Sequence, residues 1–340
     1  MTSFGLWWGG VGHWDVFVAI YLFLGGISGV SCLGASIAGW VGGRRQQAGY
    51  AHISRWGWTL SFGTIVVGSW TLLAHLSGPF LRAFMFPIKF TNWTSWMAIG
   101  TWVVVTFSLV VMARMIWATF GTAAVDDPSG LPRHLVERVG FGLTDLVDRG
   151  ADLTRPTGPL RRLVQVTGVG LAVMLVIYTA LLLSAVGWLV PLWNQTLLPP
   201  LFVASGFSAG IALVIAVTAW QNDLDGGLVH RFGLLDDAVI VVEGVVLATL
   251  LYTLTTGGAA AARTVDGLTS GSGLLLLVGM VSAGLLFPLA ISAAQELLGS
   301  DSLLASRQVT TAKFGLVIAG SFLLRVLLIF TALQQPIIVT

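Results

Sequence analysis

Stretches of about twenty apolar residues recur eight times along the chain, separated by shorter segments rich in Gly, Pro and charged residues. They run over 14–40, 55–77, 95–120, 166–193, 197–220, 235–257, 273–296 and 312–335. About twenty helical residues cross a hydrocarbon core. None of the eight alternates apolar and polar positions with the period of two that a membrane barrel requires. In lipid, each non-barrel segment must satisfy its backbone groups within itself. The pattern therefore predicts an all-α, polytopic membrane protein with eight transmembrane helices.

The longest connection, 121–165, is polar. Pro132 stands near the first turn of a helix candidate there, and Leu135, Val139, Leu143, Leu146 and Val147 recur at helical spacing. Asp145, Asp148 and Arg149 fall on other faces. The pattern suits a helix lying on the membrane surface or a docking surface for a partner. A second pattern links the first and fifth spans. Leu24-Gly25-Gly26-Ile27-Ser28-Gly29 is matched by Ala204-Ser205-Gly206-Phe207-Ser208-Ala209. Duplication of a four-helix unit and convergent packing of small residues explain it equally well. Duplication divides the chain into a first bundle, 1–194, which includes the connection 121–165, and a second bundle, 195–340.

Composition narrows the function classes. Of 340 residues, 56% are hydrophobic and 9% charged, against roughly 25% charged in soluble domains. A disordered chain and a water-soluble enzyme are excluded. With a net charge of +2 and no dense basic cluster, the chain has no surface that tracks a phosphate backbone, so no nucleic-acid partner is expected. The single cysteine, Cys32, supplies neither an iron–sulfur cluster nor a structural zinc site. Any cluster must sit on a partner chain.

Lysine and arginine fix the orientation. Arg82, Lys89 and Arg263 lie in even-numbered connections, Arg325 lies inside the last span, and the remaining thirteen of the seventeen flank odd-numbered connections. The odd connections are therefore cytoplasmic and both termini lie outside. Residues 1–12 carry no Lys or Arg, so a cleavable signal peptide is not expected. Most tryptophans, among them Trp40, Trp56, Trp58, Trp93, Trp96, Trp193 and Trp220, fall near span ends, as in an interfacial aromatic belt.

Ionisable residues within a span are costly and mark candidate function. Asp236, Asp237 and Glu243 fall in the sixth span and Arg325 in the eighth. Asp236 and Glu243 are two helical turns apart and share a face. Two readings remain open: a proton route from Asp236 through Glu243, or a buried Glu243–Arg325 ion pair joining two helices, with Asp236 as an ordinary cap near the end of its span. Two histidines, His13 and His75, flank the first and second spans on the outer side, where imidazole suits proton exchange with a ligand entering from the bilayer. No pair of mid-span histidines exists, so no b-type haem is expected.

Several short motifs in chain order resemble one family. They are Tyr21-Leu22-Phe23-Leu24-Gly25-Gly26, Leu72-Leu73-Ala74-His75-Leu76-Ser77-Gly78-Pro79, Thr94-Ser95-Trp96-Met97, Tyr178-Thr179-Ala180-Leu181-Leu182-Leu183-Ser184, Pro191-Leu192-Trp193-Asn194 with Leu197-Leu198-Pro199, and Phe322-Leu323-Leu324-Arg325 with Gln334 and Pro336. Together they resemble the NrfD/PsrC family, the membrane subunits of polysulfide reductase and related molybdopterin oxidoreductases. His75 stands where an aspartate is common in that family, and Gly78 where an arginine is.

The resemblance implies two four-helix bundles in a prokaryotic cytoplasmic membrane. It implies a quinone or quinol site near the outer face, menaquinone being favoured, with no haem or Fe–S cluster on this chain. It also implies docking to a ferredoxin-type Fe–S subunit and, through it, to a molybdopterin catalytic subunit. His13, Asp15, Tyr21, His75 and Tyr178 are the expected quinone-binding residues. Asp236, Glu243 and Arg325 are the expected proton-route or ion-pair residues. A transporter or proton-conducting module is the alternative; its helices would be broken by Gly/Pro pairs at corresponding positions of both halves, whereas Pro288 is the one proline well inside a span here. A fluorescent reporter that matures only in the cytoplasm should stay dark when fused after Thr340; a bright fusion would overturn the topology.

Overall fold

The computed structural model describes residues 16–45, 48–75, 93–122, 133–134, 137–138, 142–185, 190–222, 226–298 and 307–333. Among these the regular structure is entirely helical. The helices are α1 (Val16–Arg45), α2 (Ala48–His75), α3 (Trp96–Thr119), α4 (Thr144–Thr154), α5 (Gly158–Ser184), α6 (Leu198–Asn222), α7 (Gly226–Thr255), α8 (Ala259–Leu268), α9 (Gly271–Leu298) and α10 (Arg307–Leu333). All but α4 and α8 are long and apolar enough to cross a membrane, which makes eight spans.

The spans fall where the apolar runs predict them, but several helices run further at one end. α2, α5, α7 and α10 begin at Ala48, Gly158, Gly226 and Arg307, and α1 continues to Arg45. Each extension is at the arginine-rich end, where Arg44, Arg161, Arg162 and Arg231 are still helical. Hydropathy registers the thickness of the oil, whereas backbone hydrogen bonding continues through the interface. One consequence corrects the sequence reading: with α7 starting at Gly226, Asp236 lies in the third turn and is not a cap.

In the long connection Arg133, His134, Glu137 and Arg138 are helical, where the sequence suggests a helix after Pro132. The longer helix there is α4, and Leu143 precedes it as the N-terminal flanking residue; Leu135 and Val139 lie outside the described residues. Asp148 accepts from the Gly121 amide at 2.8 Å, and Asp152 accepts from the Thr122 amide at 3.0 Å. Gly121 has φ +87°, and a Cβ there would meet the Asp152 carboxylate at 2.5 Å. Arg155 donates to the carbonyls of Trp117 and Phe120. α4 is thereby fastened to the end of α3, with Leu146 and Leu153 exposed.

The enclosed helices are α1 and α6. They cross where a Cβ on Gly206 would lie 3.7 Å from the Gly26 Cα, so the matched positions of the two small-residue stretches meet each other. α1 also packs on α2 and α5, and α6 on α7 and α10. Ser28 of α1 bonds Ser61 of α2, and Ser208, its counterpart on α6, bonds Asp236 of α7. Of the span-end tryptophans, Trp40, Trp93, Trp96 and Trp220 are exposed, as a belt requires, whereas Trp56, Trp58 and Trp193 are buried and belong to the packing. Trp58 lies beneath the Arg114 guanidinium, 4.6 Å from its centre, and Trp193 donates to the Leu328 carbonyl at 2.8 Å.

α9 contains a π-helical turn, Val281–Leu286. Pro288 explains it. A proline cannot donate to the carbonyl four residues back, and its ring clashes there, so the wider turn accommodates it. At this level Gly284 meets Gly320 of α10, where a Cβ on Gly320 would overlap the Gly284 backbone. Gly320→Val should therefore overpack the crossing at a cost of about 1–3 kcal/mol, read as a lower unfolding temperature of the detergent-solubilised protein. Gly315→Val on the open side of the same helix, where a Cβ meets nothing within 4 Å, should leave it unchanged.

Candidate functional site

Two groups of polar residues stand out from the apolar packing. The first lies along α6, α7 and α10. Arg325 is buried near the middle of α10. Its Nη1 donates to the Ser205 hydroxyl at 2.5 Å, to the Ser321 hydroxyl at 2.5 Å and to the Ser321 carbonyl at 2.8 Å. Nη2 reaches the Phe202 carbonyl at 3.4 Å, and the guanidinium stacks over the Phe202 ring at 5.0 Å. Nη2 also comes within 3.6 and 3.8 Å of the Cβ positions that Gly26 and Gly206 lack. The helix crossing is thus the floor under the charge.

Glu243 is buried on α7 and interacts with the Ser205 hydroxyl and, electrostatically, with Arg325. The described groups that bond Arg325 directly are serines and carbonyls, and Glu243 is not one of them. Ser205 mediates between the two charges.

Two turns toward the arginine-rich end, Asp236 is fully buried. Its Oδ1 accepts from Ser208 at 2.6 Å, while its Oδ2 is buried without a hydrogen-bond partner among the described residues. The neighbouring Asp237 accepts from Lys313 of α10 at 2.8 Å and from Ser292 of α9 at 2.9 Å, and Lys313 also donates to Ser292. Asp237 and Lys313 line a cavity of about 640 Å³ together with Ser292, His230, Glu296 and Arg307. Charged and polar groups thus run from that cavity to mid-helix: Lys313–Asp237, Asp236–Ser208, then Glu243–Ser205–Arg325. Over seven residues the helix rises roughly 10 Å, so the steps from Asp236 to Glu243 need an intermediate such as water.

The second group lies on the far side of the Gly26–Gly206 crossing from the Lys313 cavity, with Tyr21 five residues from Gly26 on α1. Tyr21 of α1 and Tyr178 of α5, both buried, share a side-chain hydrogen bond. The Tyr178 ring lies directly on Gly100 of α3, where a Cβ would overlap the ring. Tyr21 borders Gly68 of α2. Four helices therefore enclose the pair, and two glycines make the room. His75 is the last residue of α2, and its side chain lies outside what is described, as do His13 and Asp15. Among the described residues no three His, Cys, Asp or Glu side chains converge as metal ligands would.

Sequence reasoning misses Lys313, Ser205, Ser208 and Ser292. Lys313 stands at the edge of an apolar run and counts as a cytoplasmic charge; the start of α10 at Arg307 puts it inside the bundle. Serines within spans carry no hydropathy signal, although Ser205 and Ser208 are visible in the repeated stretch.

A family profile described as "Polysulphide reductase, NrfD" matches residues 10–337. Curated relatives include the C subunit of polysulfide reductase from Wolinella succinogenes, 29% identical over 84% of this protein and 83% of that one. Another is a protein NrfD homolog of Haemophilus influenzae, 28% identical over 81% of this protein and 82% of that one. Protein NrfD of Escherichia coli is 30% identical over 64% of this protein and 65% of its own length.

Removing one member of a buried charge set leaves the other uncompensated, at about 3–5 kcal/mol. Glu243→Gln should therefore lower the unfolding temperature and the yield of folded protein, even though its link to Arg325 runs through Ser205. Glu243→Gln combined with Arg325→Met should recover both. Normal yield and unfolding of Glu243→Gln alone would show that the serines and carbonyls suffice to hold the guanidinium.

Proposed function

The chain belongs to the NrfD family of polysulphide reductases, and from that premise we propose that it serves as the membrane subunit of a molybdopterin oxidoreductase complex. It is a multi-pass inner-membrane protein. Within the complex it exchanges electrons between a quinone, menaquinone in preference, and a ferredoxin-type Fe–S subunit docked on the outer face. That subunit connects to the molybdopterin catalytic subunit. The chain is organised as two four-helix halves, 1–194 and 195–340, joined at the α1–α6 crossing.

The observation that carries the quinone reading is the buried Tyr21–Tyr178 pair resting on Gly100. A quinone carries two electrons and two protons between its oxidised and reduced forms. Its head group needs hydrogen-bond donors for its oxygens inside an otherwise apolar pocket, together with groups that move protons near neutral pH. The two phenols suit the first requirement, since each hydroxyl donates and accepts. They sit toward the outer ends of α1 and α5, as the charge count orients them. His75 ends α2 at the same side, and His13 and Asp15 precede α1 there; these three suit the second requirement, passing protons to the outer surface.

The polar line in the second half supports a further reading, that Asp236 and Glu243 relay protons from the arginine-rich side, with Arg325 fixing the charge of the inner end. The same line is what favours the alternative of a transporter or proton-conducting module. The two are separated by what purifies with the chain and by whether solute uptake occurs in liposomes holding it alone.

Loss of a buried hydrogen bond to the ring costs on the order of 1–3 kcal/mol. Tyr21→Phe, Tyr178→Phe and His75→Ala should each slow quinone-linked turnover of the intact complex by roughly ten- to a hundredfold, while donor oxidation or acceptor reduction with artificial dyes at the catalytic subunit stays normal. Unchanged quinone turnover in all three would place the site elsewhere.

A further inference from the structure

We propose that Lys313 is a gate between the cavity at the arginine-rich end and the buried Asp236, closed when its ammonium is clamped by Asp237 and Ser292. This deepens the relay reading above and rests on it.

The cavity is lined by Asp237, Ser292 and Lys313, but not by Asp236, the next residue along α7. Lys313 is only 3% exposed and bonds both other members of the clamp. The ammonium, with its three donors, therefore closes the inner end of the cavity. Beyond it Asp236 is 0% exposed, with Oδ1 engaged by Ser208 and Oδ2 without a partner among the described residues. Lys313 acts electrostatically on Asp236 as well. One ammonium thus bonds the carboxylate that faces the cavity and acts electrostatically on the next one along α7, which faces the core.

The surroundings permit it to move. Gly233, one turn before Asp237, presents no side chain, and a Cβ there would lie 3.8 Å from Nζ. The lysine stem is flexible. The third arm of the clamp, Ser292, stands on the part of α9 that follows the π turn and Pro288. The other charged groups facing this region are His230 and Glu296, paired at 3.4 Å, and Arg307, at the cavity wall.

The charge of Asp236 then sets the gate. An ionised Asp236 draws the ammonium away from Asp237, the clamp opens, and water from the cavity reaches the carboxylate. Protonation of Asp236 by that water removes the attraction, Lys313 returns to Asp237, and the proton is left on the core side with Glu243 as the next acceptor. The hydroxide left behind is neutralised from the bulk. No electrons move along this path.

The test uses the intact complex in proteoliposomes without electron donor, reading passive proton entry under an imposed pH gradient. Lys313→Met should raise proton conductance several-fold over the parent, because no ammonium closes the cavity. If that variant does not assemble because Asp237 is left unpaired, Lys313→Met with Asp237→Asn removes both charges and should leak likewise. Vesicles as tight as the parent would overturn the gate. Adding Asp236→Asn should abolish the leak. A leak that persists in that background leaves the gate standing and overturns the relay through Asp236. Tight Lys313→Met vesicles, with quinone turnover slowed by Asp236→Asn, would overturn the gate and leave the relay.

Discussion

The guanidinium of Arg325 is a full positive charge buried in the middle of a membrane helix, and the interior of the bundle is arranged to hold it. Taking such an ion out of water costs several kcal/mol even after relaxation. Among the described residues no carboxylate offsets that by direct contact. The charge is instead shared among the Ser205 and Ser321 hydroxyls, the Ser321 and Phe202 carbonyls and the Phe202 ring. Those groups come from α6 and α10, so both helices must approach closely and stay in register. The glycines and serines of α1 and α6 make the approach possible, and Glu243 supplies the counter-charge at one remove.

The same logic explains a difference between the halves. Ser28 and Ser208 occupy matched places on α1 and α6. Ser28 faces another serine, Ser61, whereas Ser208 faces Asp236. One half of the molecule joins α1 to α2 through hydroxyls and places its phenols toward one surface. The other carries Asp236, Glu243 and Arg325, with a cavity at the opposite surface beside Asp237 and Lys313. The phenol pair and the line of ionisable residues thus occupy different helices while the two sets share the α1–α6 seam.

Much of the fold is legible in the sequence, because twenty apolar residues in a row have few other uses. What is not legible has two physical causes. Helices do not stop where the oil stops, so hydropathy places Lys313 and Asp236 too near a surface, and it gives no sign of the short α8. And hydroxyls are silent in hydropathy, so Ser205, which links Glu243 to Arg325, shows only as one small residue of the repeated stretch. The cost of burying charge does single out Asp236, Glu243 and Arg325. It does not say that a serine stands between the last two. Tyr21 and Tyr178 are reached only through resemblance to a family, since a tyrosine near a span end is ordinary in any membrane protein.

The π turn in α9 changes the angular phase of everything after it. Each residue of an α-helix advances about 100° around the axis, so one extra residue in a turn rotates the following segment by about that amount relative to an uninterrupted helix. Ser292 and Glu296 face α7 and α10 because of that rotation. With a plain helix they would be carried round toward the lipid. The chemistry of the cavity is therefore tied to residue number as much as to residue type: a gain or loss of one residue between Met280 and Pro288 would turn the whole inner half of the helix away from its partners.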